Sequence, residues 1–171
     1  MTLRVYINRL HCQRLTPWGN FASLKCLLRL RTTMQQCVRA TGHENVSAEH
    51  TSTFEFTSDD WLTPAGDCIL GIEAEPVPAA FDDQFVEACR SETARITATL
   101  RVDGAEQVVE GRGHSDLTFE SDRSMVGRTS EHIDDRTVMI GADTAAADID
   151  RELVNALADG AELECLFEVE Q

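Results

Sequence analysis

The sequence predicts an α+β, β-rich domain. One β-β-β-α-β unit is written twice, which implies a pseudo-twofold sandwich or partly closed barrel with two short helices. Three observations carry that expectation. Gly42-His43 recurs as Gly113-His114, each ending a short strand candidate, Gln36 to Thr41 and Gln107 to Arg112. After each corner comes a long run, Val46 to Thr57 or Leu117 to Val126, then a polar loop and an apolar stretch ending in glycine, Asp67 to Gly71 or Thr137 to Gly141. Each unit then closes with a helix and an alternating strand. The repeats span 36–102 and 107–169 within one domain covering 34–171.

The elements follow in order. Glycine at each Gly-His corner supplies a bend that other residues resist. From Val46 the period is two, with Val46, Ala48, His50, Ser52, Phe54 and Phe56 on one face, and Thr51, Thr53, Glu55 and Thr57 on a polar strip read as hydrated sheet surface, with ligand recognition as the alternative. Pro64 and Gly66 punctuate a loop in which Trp61 and Leu62 either pin the chain to the core or cover something. Asp67 to Ala74 reads as a strand covered on both faces. Asp82 caps the first helix, with Phe81 and Val86 as a hydrophobic staple, and Phe81, Phe85, Val86 and Cys89 form its apolar stripe. Asp150 takes the capping place in the second helix, Ile149, Leu153, Val154 and Leu157 repeat the stripe, and Gly160 ends it. Ile96 to Val102 and Leu163 to Val169 alternate as strands, and Asp103-Gly104 is a hairpin turn.

Composition excludes some functions. The chain has 30 acidic and 15 basic residues, and Lys25 is the only lysine. An acidic, arginine-for-lysine surface suits a cytoplasmic protein hydrated in high salt, and it argues against nucleic acid or an anionic membrane as partner. The charge is uneven. Residues 1–33 hold six basic residues and no acidic ones. That stretch is expected to lie outside the domain, as a start-site extension ahead of Met34 or a disordered tail. The six cysteines form no C-x-x-C pair, so neither a zinc knuckle nor a thioredoxin motif is expected.

The candidate ligand-binding residues are His43, His50, Ser52, Asp67, Cys68 and His114. His43 and His114 occupy equivalent corners and either face a shared cleft or brace their own turns. His50 and Ser52 are polar residues on an apolar strand face, beside an Asp67-Cys68 step. The group offers a thiol nucleophile with its imidazole base, or a hydrogen-bonded network that sets strand register. His43, His50, His114, His132 and Cys68 lack the close spacing of zinc ligands, so no metal and no cofactor are expected.

Several stretches resemble the archaeal domain-of-unknown-function family 371. In the first half these are Gly42 to Val46, His50 to Thr57 and Leu62 to Ile69. In the second they are Gly111 to His114, Asp135-Arg136-Thr137 and Ala146 to Leu153. The resemblance covers roughly 35–170. It implies a compact β-rich domain and brings no established activity. Where the family pattern has Ala-Asp-Lys after the apolar strand, this chain has Ala74-Glu75-Pro76 and Ala142-Asp143-Thr144. The reading that follows is a soluble binding domain without catalysis, for an unknown small molecule or protein. One alternative is a small enzyme using Cys68 with His50 or a His-bound metal. The other is a structural subunit of a complex.

Overall fold

A computed structural model describes residues 33–171. In chain order the elements are β1 (Thr33–Thr41), β2 (Thr53–Thr57), β3 (Ile69–Glu75), a 3-10 turn (Pro78–Ala80), α1 (Asp83–Cys89) and β4 (Arg95–Val102). Then come β5 (Ala105–Arg112), β6 (Ser124–Arg128), β7 (Thr137–Met139), a second 3-10 turn (Ala146–Asp148), α2 (Arg151–Ala158) and β8 (Glu162–Glu170). The same succession of strands, turn and helix thus occurs twice. The leader expected over 1–33 falls outside the described residues except for Thr33, which starts β1.

All eight strands join one mixed sheet in the order β5-β4-β8-β1-β3-β2-β6-β7. β2/β3 and β6/β7 are parallel, and the other neighbours are antiparallel. β1 is hydrogen-bonded to β8 on one edge and to β3 on the other, so it ties together strands that a sandwich would divide between two sheets. The order stays open, because β5 and β7 share no ladder. Beyond the end of β7, Ile140 still exchanges two backbone hydrogen bonds with Arg112, at 2.9 and 3.1 Å.

Local chemistry accounts for most elements. In β8, Leu163, Cys165, Phe167 and Val169 alternate inward, and in β4 Ile96, Ala98, Leu100 and Val102 do the same. Asp103 and Gly104 both take positive φ, 49° and 86°, as a two-residue hairpin of this twist requires. Asp82 accepts hydrogen bonds from the Gln84 and Phe85 amides, and Asp150 accepts one from Glu152, each cap worth about 1 kcal/mol. Phe81 sits 5.9 Å from Phe85, 6.0 Å from Phe119 and 6.3 Å from Phe167. Burying each of these rings stabilises the fold by roughly 2–3 kcal/mol, and this cluster seats α1 on the sheet.

The long strand expected from Val46 to Thr57 is corrected. Only Thr53–Thr57 is strand, because Ala48 takes φ 50° and the preceding backbone is bonded elsewhere. The Glu49 and His50 amides donate to the Asp67 carbonyl, and the His50 carbonyl accepts from Ala147. The second half breaks in the same manner at Phe119, with φ 56°, leaving Ser124–Arg128 as strand. The hydrated strip is corrected too. Thr53 and Thr57 are buried, because β2 is central and covered on both faces.

Candidate functional site: a cleft beneath Trp61

β2 and β6 run side by side with Glu55 directly opposite Val126. Phe54 and Phe56 enter the core, while Glu55 faces a cleft of about 510 Å³ with its side chain 13% exposed. One wall is the loop after β2, which carries Trp61. The other comprises Ser121 to Ser124 and Asp135-Arg136. The Ser58 amide bonds to the Arg123 carbonyl at 2.7 Å, which joins the walls at one end. Ser121 Oγ accepts from the Arg123 and Ser124 amides, which folds that segment into a tight polar turn. Trp61 is 55% exposed at the mouth of the cleft.

The charges inside are largely paired. Arg123 donates from Nε and Nη2 to the Asp59 carboxylate, and this hydrogen bonding holds Asp59 below the ordinary carboxylate value. Arg136 reaches Glu55 at 3.6 Å and Asp134 at 3.2 Å, and Arg128 also bonds Asp134. Burial alone would raise the Asp134 carboxyl. Hydrogen bonds from Arg128 and Thr137, with the charges of Arg128 and Arg136, outweigh it and bring Asp134 to about 2. Asp122 and Asp135 line the cleft as exposed carboxylates with no side-chain partner among the described residues.

The six residues singled out from sequence separate into two groups. His43 and His114 brace their own turns. Each Nδ1 accepts the amide two residues on, from Asn45 and from Asp116, both at 3.1 Å. Gly42 lies against Leu157 at the end of α2, and Gly113 against Cys89 at the end of α1. The corners therefore dock different helices, and neither histidine lines the cleft.

His50, Ser52, Asp67 and Cys68 do come together. The Asp67 carbonyl holds the His50 amide, and His50 Nδ1 accepts from the Ser52 amide at 3.4 Å and meets Thr53 Oγ1 at 2.9 Å. The Cys68 thiol instead donates to Glu55 Oε2 at 3.6 Å. The Thr53 hydroxyl stands between thiol and imidazole, hydrogen-bonded to both, and no direct bond joins the two. Burial, followed by the Glu55 charge, pushes the Cys68 thiol up to about 11. Glu55 is the junction, touching Cys68 on one side and Arg136 on the other.

Sequence reasoning set Glu55 on a hydrated strip and missed Asp59, Ser121, Arg123, Ser124 and Arg136, although a signal was present. Ser121 donates its amide to Asp135 as His50 does to Asp67, and Val126 donates to Arg136 as Glu55 does to Cys68. Ser121 and Arg136 on one wall of the cleft thus hold backbone positions that parallel those of His50 and Cys68. Among the described residues, no three His, Cys, Asp or Glu side chains gather as a metal ion needs. No helix among them is long and apolar enough to cross a membrane.

The family model described as "Domain of unknown function (DUF371)" matches residues 38–170. The chain is also similar to "Uncharacterized protein MJ0206" of Methanocaldococcus jannaschii. The two are 42% identical over 130 residues, which make up 76% of this chain and 96% of that protein.

Proposed function

The chain belongs to the DUF371 family, and from that premise we propose that it is a non-catalytic binding domain whose ligand, a small polar molecule, occupies the cleft beneath Trp61. The observation that carries this reading is a large indole left 55% exposed over a cleft of about 510 Å³, whose floor holds a half-buried Glu55–Arg136 ion pair. That volume lies within the usual range for small-molecule sites, and convergent polar groups in a concavity are their usual mark. The absence of catalysis is supported by the chemistry of the best nucleophile. Cys68 stays protonated near neutral pH, donates to the Glu55 carboxylate and makes no direct bond to the His50 imidazole. The His50-Ser52-Asp67-Cys68 group acts as the second layer, fixing β2 against β3 and holding Glu55. The acidic, lysine-poor composition supports a cytoplasmic setting of high salt.

Internal duplication belongs to the same proposal. Its support is the register. Across β2/β6, Thr53 pairs with Arg128 and Thr57 with Ser124, so exchanging the halves returns the same pairing about Glu55 and Val126. Side-chain bonds recur as well. Gln36 Oε1 accepts the Asp82 amide, and Gln107 Oε1 accepts the Asp150 amide.

A thermal-shift screen of the full chain against small polar metabolites tests the site. Hits should lose their stabilisation in Trp61→Ala and keep it in His43→Ala and His114→Ala. Hits indifferent to Trp61 but lost in His50→Ala would move the site to the other face of Glu55 and overturn the placement.

A further inference from the structure

We propose that the ligand of the Trp61 cleft is a small organic cation, an ammonium or guanidinium group on a short apolar stem. This deepens the preceding reading and rests on it. Charge is the first argument. The cleft is lined by four carboxylates, Glu55, Asp59, Asp122 and Asp135, and by two guanidiniums, Arg123 and Arg136. Both guanidiniums are already committed, Arg123 to Asp59 and Arg136 to Glu55 and Asp134. The carboxylates of Asp122 and Asp135 have no side-chain partner among the described residues. An anion would add to a lining that already carries two more carboxylates than guanidiniums, and would sit beside two unpaired acids. A cation disturbs no existing pair.

Two further observations bear on the ligand. Ser124 lines the cleft with only 3% of the residue exposed, yet its hydroxyl has no hydrogen-bond partner among the described residues. A hydroxyl both donates and accepts, so it marks a place for a polar ligand group, an ammonium N–H included, while the charge of the lining selects the sign. Trp61 supplies the second. Its indole is the aromatic face that attracts cations most strongly, and its apolar area suits the stem of such a ligand. The negative charge of the whole chain, −15 formally, further raises the local concentration of cations.

Three probes of matched length separate the possibilities: 1,4-diaminobutane, 1,4-butanediol and succinate, titrated calorimetrically into the full chain at moderate salt. The diamine should bind at one site per chain, and the diol and succinate should not. Affinity for the diamine should fall at least tenfold in Trp61→Ala and in the double variant Asp122→Asn/Asp135→Asn. It should survive in Trp61→Phe, which keeps an aromatic face and guards against a folding artefact. Succinate binding that depends on Trp61 would refute the cation and leave the cleft as the site. Diamine binding at many sites, or unchanged in Trp61→Ala, would mark general attraction to an acidic surface and overturn the inference. Silence from all three probes at millimolar concentration would overturn it as well.

Discussion

Gly42→Ala should destabilise the domain by about 2–3 kcal/mol, because the Gly-His corner exists to let a helix end approach the sheet. A Cβ built on Gly42 would stand 2.7 Å from the carbonyl carbon of Leu157 and 2.8 Å from its Cα, with the carbonyl oxygen nearer still. These are backbone atoms of the last turn of α2 and cannot rotate aside. Ordinary contact lies near 3.4–4 Å, so α2 must retreat by roughly 1 Å. Such overpacking costs roughly 1–3 kcal/mol. The retreat also strains the hydrogen bond from the Gly42 amide to the Ala161 carbonyl, 2.8 Å long and worth about 1 kcal/mol. Alanine restricts the unfolded chain and returns roughly 0.4–1 kcal/mol. Urea unfolding followed by circular dichroism reads the difference. At an m-value of about 2 kcal/mol per molar, the midpoint should fall by about 1–1.5 M with unchanged slope. His43→Ala, which removes only the acceptor for the Asn45 amide, should cost about 1 kcal/mol or less. A Gly42→Ala variant unfolding at the wild-type midpoint would refute the docking argument.

Two further outcomes follow from Asp134 and Cys68, which lead into β7 and β3. The Asp134 carboxyl lies near 3.8 when unperturbed and about 2 in the fold. Its stabilising contribution is therefore complete above pH 4 and is lost as pH falls towards 2. The shift corresponds to about 2 kcal/mol, so wild-type stability should drop by about that much more than that of Asp134→Asn between pH 5 and pH 2, measured by denaturant unfolding. Equal slopes in the two proteins would remove Asp134 from the account. Cys68, raised from 9.0 to about 11, should alkylate roughly 100-fold more slowly in the folded chain than in urea, read by mass spectrometry after iodoacetamide at pH 8. Rapid labelling of Cys68 in the folded chain would reopen the nucleophile reading.

Much of the fold could be read from residues whose role is local. Asp82 and Asp150 sit where helices begin, and the alternation in Ile96 to Val102 and Leu163 to Val169 survives as two neighbouring strands of the sheet. The long strand from Val46 misled because its period of two is real as a pattern but not as a ladder. Leu62, Val46 and Ala48 are buried by a looped backbone that bonds to Asp67 and Ala147. Burial without pairing leaves the same apolar signature as a strand. The site was harder. Glu55 looked like one acid among many on a wet face, and only the position of β2 between β3 and β6 makes it a half-buried carboxylate. The exposure of Trp61 likewise depends on where its loop comes to rest, which no local pattern encodes.

The proposed duplication explains why the cleft is one-sided. At the centre of β2/β6 a residue is paired with its own counterpart, Glu55 with Val126. Two glutamates there would set half-buried carboxylates directly opposite each other, an arrangement that is destabilising in any sheet. Two valines would leave the guanidinium of Arg136 without its inward partner. Only an unequal pair gives a single buried acid, and that acid can then collect different neighbours from each half, a thiol from Cys68 and a cation from Arg136. Once the pair differs, the flanking positions are released from matching one another. Ser121, Arg123 and Arg136 carry the cleft on one side, while His50, Ser52 and Cys68 close the other with short polar contacts. On this argument Glu55→Val, which restores symmetry at the centre, should abolish binding in the Trp61 cleft while leaving the fold intact. Retained diamine affinity in that variant would sever the link between the broken symmetry and the site.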